Sequence, residues 1–238
     1  MDKGIFVVGT DTDIGKTFVT GGLLYLLRKN GINASYFKAA LSGAVEKNGR
    51  LIPGDTEFVC SFSGLKEEYS FLTPYVFKTA VSPHLASKIE KVPIDLEIIK
   101  KSYCKVKEKY NFTVVEGSGG IICPIIDEEE NTILLEDIIK LLNLDTLLVS
   151  SAGIGSINHT VLTVKYMEDK GLNIKGIIIN EYDEKNICHK DNVKMIKKLT
   201  KKNIVALIPK VKEFKNHEKI KKVFDGLDYK RLIECIGE

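Results

Sequence analysis

The sequence predicts an α/β fold over residues 1–238: a single doubly wound, mostly parallel sheet with helices on both faces. Two observations support this prediction. Short β-branched apolar runs end abruptly in Gly, Ser, Asn or an acid, which is typical of strands that are covered on both faces. Helical patterns lie between these runs along the chain, and such alternation predicts one doubly wound domain.

Predicted strands and predicted helices alternate along most of the chain. The strand predictions are Ile5–Gly9, Ala34–Lys38, Phe112–Gly117, Leu147–Ser150, Lys175–Asn180 and Ile204–Ile208. The helix predictions are Thr17–Asn30, Ile94–Tyr110, Leu134–Leu142, Ser156–Lys170 and His189–Lys201. Segment Leu41–Pro93 holds four of the six prolines and has weaker strand signals. We therefore expect an elaborated region there, between two strands of the sheet.

The composition excludes several classes of protein. Apolar residues make up 44% and charged residues 28% of the chain, which is ordinary for a globular protein and unlike a disordered one. A net charge of +3 with scattered lysines gives no support for a nucleic acid partner. Five dispersed cysteines indicate reduced thiols, and we recognise neither a signal peptide nor a membrane span. We expect a cytoplasmic protein without a membrane partner.

The segment Gly9-Thr-Asp-Thr-Asp-Ile-Gly-Lys-Thr17 follows a predicted strand and opens a helix, which is the context of a P-loop. Backbone N–H groups of such a loop surround phosphate oxygens, and the helix dipole favours their negative charge. Lys16 can reach the β- and γ-phosphates, and the Thr17 hydroxyl can bind Mg²⁺. The strict pattern has glycine at position 10, where this chain has threonine. We predict a P-loop NTPase-like fold; the alternative is a strand–turn–helix with a chance Gly-Lys-Thr.

Two further residues stand at predicted strand ends, where an open parallel sheet binds its ligands. Glu116 is followed by Gly-Ser-Gly-Gly120, and P-loop enzymes place a second metal ligand or a water-positioning group at such a point. The alternative is a solvated strand end with a flexible turn. Lys38 could neutralise a transferring phosphoryl group or a substrate carboxylate. A solvated surface lysine is its alternative.

Asp55 precedes an apolar-periodic segment, and the residues alone favour a helix N-cap over a Mg²⁺ ligand. Ser82 and Ser156 are also predicted as helix caps. The four histidines have no metal-ligand spacing, which argues against a zinc site. None accompanies a nucleophile elbow, so a hydrolase triad is rejected.

Seven segments in a fixed order carry a resemblance to a known family. They are Gly9–Thr17, Tyr36–Gly43, Gly54-Asp55, Ser82-Pro-His84, Val115–Gly120, Gly155–Thr160 and Gly176–Asn180. Together they resemble the dethiobiotin synthase family, whose members use ATP to close the ureido ring in biotin synthesis. The sequence departs from the family pattern at Ala39, at Ala80-Val81 and over 209–238.

The resemblance implies a reaction without a covalent enzyme intermediate. 7,8-Diaminononanoate and CO₂ would form a carbamate, and the carbamate oxygen would attack the γ-phosphate of ATP. The second amine would then displace phosphate from the carbamic–phosphoric anhydride and close the ring. Lys16 and Lys38 are the implied catalytic residues, because a pair of cations would overcome the repulsion between the two anions.

The resemblance also implies roles for individual residues. Thr17, Asp55 and Glu116 would be Mg²⁺ ligands, an all-oxygen set suited to that ion. Asn158 would reach the substrate of a neighbouring subunit, which implies a homodimer with sites at the interface, and Asn180 would read adenine. The substrate residues would be Thr12, Lys38, Ser42 and Asn158. The ATP residues would be Asp13, Ile14, Gly15, Lys16, Thr17, Phe18, Asp55, Glu116, Gly117, Ser118, Gly119, Asn180, Glu181, Pro209, Lys210 and Val211.

Three other functions remain open from the sequence. A MinD/ParA-type switch ATPase has a second lysine near the start of its loop, where this chain has Asp11. An amidating ligase such as cobyrinic acid diamide synthase needs an ammonia source, and this chain is too short to hold a glutaminase domain as well. A non-catalytic nucleotide-binding module would show no ATP turnover that depends on a diamine.

Overall fold

The structure is a computed structural model that describes residues 4–129, 131–211 and 216–237, so the domain predicted over 1–238 extends slightly beyond the described residues. Strands and helices alternate along most of the chain. The strands are β1 (Gly4–Gly9), β2 (Ala34–Phe37), β3 (Ala40–Leu41), β4 (Val45–Lys47), β5 (Arg50–Ile52), β6 (Tyr75–Val76), β7 (Phe112–Gly120), β8 (Pro124–Glu128), β9 (Asn131–Leu134), β10 (Asp145–Ser151), β11 (Ile174–Tyr182) and β12 (Ile204–Pro209). The helices are α1 (Lys16–Lys29), α2 (Gly54–Ser63), α3 (Tyr69–Leu72), α4 (Pro83–Glu90), α5 (Leu96–Lys109), α6 (Leu135–Leu142), α7 (Ser156–Asp169), α8 (Ile187–Thr200), α9 (His217–Asp225) and α10 (Tyr229–Ile236).

The main sheet is parallel throughout, which confirms the predicted fold class. Within the described residues it has six strands in the order β12-β11-β10-β1-β7-β2. The chain leaves β1 towards β2 on one side and later continues from β10 to β12 on the other side. In open parallel sheets such a reversal places the ligand crevice beyond the carboxyl ends of the strands around it. Here those strands are β1 and β7.

Helices cover both faces of the sheet. On one face α1 packs against α2 and α9, and on the other α5 packs against α6 and α7 against α8. The central strands are therefore shielded on both sides, and Ile5, Val114 and Leu147 are fully buried. Double burial explains why these strands are continuous apolar runs rather than alternating ones. In the part of the chain described, no helix combines the length and the apolar character that crossing a bilayer requires.

The predicted elaborated region contains several short elements. β4 and β5 form an antiparallel hairpin directly before α2, and β3 pairs with β6 in parallel. α2 packs against α1, which brings the start of α2 towards the P-loop. The lysine-rich end of the chain forms α9 and α10, which the sequence analysis did not predict. Their apolar residues, including Phe224 and Leu232, are buried.

Candidate active site

The predicted P-loop connects β1 to α1. Gly15 is the N-cap of α1 and has a left-handed backbone with φ of 94°. The Lys16 side chain folds back over the loop, and its Nζ donates a hydrogen bond to the Asp11 carbonyl oxygen at 2.8 Å. Burial, and after it the charge of Lys38, lowers the pKa of Lys16. The loop therefore holds a buried lysine at a helix N-terminus, an arrangement that attracts phosphate.

Asn180, in β11, packs against the same loop. Its Nδ2 donates a hydrogen bond to the Ile14 carbonyl oxygen at 3.0 Å. A Cβ atom on Gly15 would lie only 2.1 Å from this nitrogen, so no larger residue fits there without displacing Asn180. Asn180 thus supports the loop conformation directly, in addition to the adenine contact that the family resemblance implies.

Glu116 lies at the centre of the site and is 2% exposed. Its Oε1 accepts hydrogen bonds from Thr17 Oγ1 at 2.8 Å and from Lys38 Nζ at 2.7 Å. The sequence analysis ended the strand near this residue, but β7 continues to Gly120, which pairs with Gly9 beside the P-loop. Glu116 is therefore held inside a strand, and the interpretation as a solvated strand end is wrong.

Lys38 follows β2 and is only 4% exposed, so the interpretation as a solvated lysine is also wrong. Its Nζ lies 2.7 Å from Asp55 Oδ2 and 2.7 Å from Glu116 Oε1. Burial alone would lower the pKa of Lys38, but the two carboxylates outweigh it and raise this pKa above its ordinary value. Lys38 is consequently a buried cation that joins two carboxylates.

Asp55 lies in the first turn of α2, and the N-cap position belongs to Pro53. The N-cap interpretation of Asp55 is therefore wrong, because the helix begins one residue earlier than the aspartate. Its side chain forms an ion pair with Lys38 and is 39% exposed. Burial acts to raise the pKa of Asp55, yet the attraction of Lys38 prevails and lowers it.

Asp55 and Glu116 both contact Lys38, and the Thr17 hydroxyl donates to Glu116, so three oxygen-bearing side chains lie together. This set suits a hard cation. Among the residues that the structure describes, no group of three or more His, Cys, Asp or Glu side chains could hold a metal. Mg²⁺ does not need such a cage, since it commonly uses one or two carboxylates together with substrate phosphates. A hydroxyl and two carboxylates beside a P-loop fit that mode of binding.

These residues border a cleft of about 570 Å³. The predicted residues that line it are Thr12, Asp13, Gly15, Lys16, Thr17, Phe18, Lys38, Ser42, Asp55, Glu116, Ser118 and Gly119. The predicted residues outside this lining are Ile14, Gly117, Asn158, Asn180, Glu181, Pro209, Lys210 and Val211. The volume of the cleft lies within the usual range of small-molecule sites in proteins.

The lining also includes Leu41, Gly54 and Phe58, to which the sequence analysis assigned no site role. Phe58 could have been found, because it stands three positions after Asp55 on the same helix and so shares its face. Leu41 is part of the short strand β3, which sequence reasoning missed.

The remaining predicted residues have varied surroundings. Glu181 and Lys210 form an exposed ion pair at 3.3 Å, which links the ends of β11 and β12. Asn158 is exposed in the first turn of α7.

The two predicted helix caps have different outcomes. The N-cap of α7 is Gly155, which has a left-handed backbone, so the prediction of Ser156 as the cap is wrong. Ser82 does occupy the cap position of α4 but makes no capping hydrogen bond.

Comparison with known proteins shows which family the chain is similar to. A family model described as an AAA domain matches residues 3–218. The chain is 76% identical over 237 residues to the ATP-dependent dethiobiotin synthetase BioD of Clostridium novyi (strain NT), with 100% of both chains covered. It is 54% identical to the enzyme of the same name from Clostridium kluyveri (strain ATCC 8527), over 92% of this chain and 90% of that one.

Solved structures resemble this fold at low sequence identity. The MinC:MinD cell division protein complex of Aquifex aeolicus contains a chain that matches with a TM-score of 0.61 and 16% identity. The match covers 99% of this chain and 96% of that one. At this identity the likeness shows the shared P-loop fold and carries no information about activity.

Proposed function

The chain belongs to the ATP-dependent dethiobiotin synthetase family, and from that premise we propose that it closes the ureido ring of dethiobiotin from 7,8-diaminononanoate and CO₂. The reaction is a ligase step of biotin biosynthesis driven by ATP. We include in the proposal a requirement for Mg²⁺ and a cytoplasmic homodimer, in which Asn158 reaches the substrate of the neighbouring subunit.

The observation that carries the proposal is the buried lysine opposite the P-loop. Lys38 and Lys16 both line the cleft, and each is at most 7% exposed. A P-loop needs only its own lysine to bind phosphates. A second buried cation in the same cleft suits a reaction in which a second anion, the carbamate, must approach the γ-phosphate. Two anions at contact distance repel by about 4 kcal/mol at an effective dielectric of 20, so opposing cations are required.

The proposed reaction has three steps. One amine of the substrate adds to CO₂ and loses a proton, which gives a carbamate. A carbamate oxygen attacks the γ-phosphorus of ATP, the bond to the β-γ bridging oxygen breaks, and ADP leaves. The second amine then attacks the carbamoyl carbon, phosphate departs, and loss of a proton completes the five-membered ring.

The protein's own residues position and neutralise the reacting groups. N–H groups around Gly15 hold the phosphate chain at the N-terminus of α1, and Lys16 balances its charge. Lys38 faces the same cleft and would hold the carbamate oxygen in line with the γ-phosphate. Mg²⁺ held by Thr17, Asp55 and Glu116 would supply further neutralisation of phosphate charge. Such preorganised charge contacts contribute roughly 10²–10³ each in rate.

A switch ATPase of the MinD/ParA type is the alternative, supported only by the shared fold. The two functions differ in what accepts the phosphoryl group. In the ligase the acceptor is a carbamate, so phosphate release from ATP requires both the diamine and bicarbonate. Phosphate release that is unchanged when the diamine is left out would contradict the ligase proposal and favour the switch ATPase.

A further inference from the structure

Tyr36 contacts the half of the Glu116 carboxylate that faces neither the P-loop nor Lys38. Tyr36 belongs to β2, which pairs in parallel with β7, and its side chain is 0% exposed. Its hydroxyl donates a hydrogen bond to Glu116 Oε2 at 3.0 Å. A buried tyrosine hydroxyl thus lies one hydrogen bond away from the centre of the site.

The two oxygens of Glu116 have separate partners. Oε1 accepts from Thr17 and Lys38, the residues that face the cleft, at 2.8 and 2.7 Å. Oε2 accepts from Tyr36. Because a carboxylate can turn about its last single bond, an anchor on one oxygen determines where the other one lies. The Tyr36 hydroxyl is that anchor.

The Tyr36 hydroxyl also lies near the helix that carries Asp55. Thr56, the residue after Asp55, is fully buried, and its Oγ1 lies 2.7 Å from Thr73 Oγ1. Burial, followed by the negative charges of Glu116 and Asp55, raises the pKa of Tyr36 well above its ordinary value.

We propose that Tyr36 is a positioning residue for Mg²⁺: its hydroxyl orients Glu116, so that Oε1 is presented to the metal. This inference rests on the proposed function. Partners of metal-ligating side chains typically change metal affinity or activity by about 10–100-fold when they are lost. Without the hydroxyl, Oε2 would lose its hydrogen bond in a buried position, and the carboxylate would turn to recover one. Tyr36 is not among the residues that line the cleft, and its contact with the site is the hydrogen bond to Glu116.

The test compares Tyr36→Phe with Tyr75→Phe. Tyr75 is a matched control, since it is buried, its hydroxyl oxygen accepts a hydrogen bond from the Asp95 N–H at 2.8 Å, and it lies outside the cleft lining. The melting temperature is followed while Mg²⁺ is titrated at fixed ADP, and again with ADP in the absence of metal. We expect Tyr36→Phe to raise the Mg²⁺ concentration at half-maximal stabilisation roughly tenfold. We expect the ADP shift without metal to stay at the wild-type value.

Two outcomes would overturn the inference. Equal Mg²⁺ midpoints in Tyr36→Phe and wild type would leave the hydroxyl with a role in stability only, visible as a lower melting temperature of the metal-free protein. Loss of the metal-free ADP shift in Tyr36→Phe would indicate general distortion of the nucleotide site. Because this measurement reports binding, either outcome leaves the proposed ring closure standing, which is tested separately by product formation.

Discussion

Lys38 Nζ lies 2.7 Å from Glu116 Oε1, and both groups are buried. The ammonium also lies 2.7 Å from Asp55 Oδ2, and Glu116 Oε1 accepts a second hydrogen bond from the Thr17 hydroxyl. Lys38 offsets part of the negative charge of Glu116 and Asp55. In the proposed function Mg²⁺ would share those oxygens, and Lys38 would then turn towards an anion in the cleft.

Lys38→Met should therefore affect turnover and stability in different ways. We expect kcat to fall roughly 10²–10³-fold, because a preorganised charge contact is lost. The metal-free protein should lose about 3–5 kcal/mol of stability, the usual effect of leaving a buried charge without its partner. Added Mg²⁺ should restore part of the melting temperature, since it replaces the missing positive charge.

Lys78→Met is the matched control for that variant. Lys78 forms an exposed ion pair with Glu46 at 2.8 Å, and such pairs contribute about 0–1 kcal/mol. It should change neither turnover nor the response of the melting temperature to Mg²⁺. Near-normal turnover of Lys38→Met would remove Lys38 from the mechanism.

Asp55→Asn tests the assignment of a metal ligand. The variant keeps the size of the side chain but removes the negative charge that a hard cation prefers. We expect the Mg²⁺ concentration for half-maximal activity to rise at least roughly tenfold, equal to about 1.4 kcal/mol of lost interaction. A Mg²⁺ titration of the steady-state rate provides the measurement.

Asp95→Asn is the comparison for Asp55, because Asp95 is a true N-cap whose side chain accepts a hydrogen bond from the Glu97 N–H at 2.7 Å. Asn caps helices about as well as Asp, so this variant should match wild type in both stability and Mg²⁺ requirement. An unchanged Mg²⁺ requirement in Asp55→Asn would exclude Asp55 as a ligand.

Asn180→Ala should weaken nucleotide binding in two ways. The P-loop loses the hydrogen bond to the Ile14 carbonyl oxygen, and the base would lose the amide partner that the family resemblance implies. We expect the KM for ATP to rise roughly tenfold or more, with reduced preference for ATP over GTP, because a lost specific hydrogen bond costs about 0.5–1.5 kcal/mol and loop distortion adds to it.

Asn192→Ala serves as the control, since Asn192 Nδ2 donates to a different loop carbonyl, that of Ala152, at 2.8 Å. Its KM values for both nucleotides should equal those of wild type. If Asn180→Ala raises the KM for ATP and GTP equally, Asn180 supports the loop and does not read the base.

The sheet was predictable because its strands are buried on both faces. Runs such as Ile177–Ile179 lack polar residues, and that pattern is typical of parallel strands that are buried on both faces. α9 was missed because its lysines dominate the composition. The signal was nonetheless present, since Ile220 and Phe224 stand four positions apart, as the buried face of a helix requires.

The site was predictable only in part. The P-loop is a local motif, so its residues could be named from the sequence. The partners of Glu116 were not predictable in the same way. The hydrogen bond from Tyr36 depends on the register between β2 and β7, which pairs Phe37 with Val115. Sequence spacing alone does not determine that register. The sequence favours Asp55 as a cap because the start of a helix is uncertain by one or two residues, and the start of α2 at Gly54 excludes that role.

The central claim is that a carbamate, and not water, accepts the γ-phosphoryl group of ATP. The most direct measurement incubates the protein with 7,8-diaminononanoate, isotopically labelled bicarbonate, ATP and Mg²⁺, and follows dethiobiotin by mass spectrometry beside ADP. We predict dethiobiotin that carries the label in its ureido carbonyl, formed in step with ADP and absent when the diamine is omitted. ADP formation without labelled dethiobiotin, at a rate that the diamine does not change, would contradict the account.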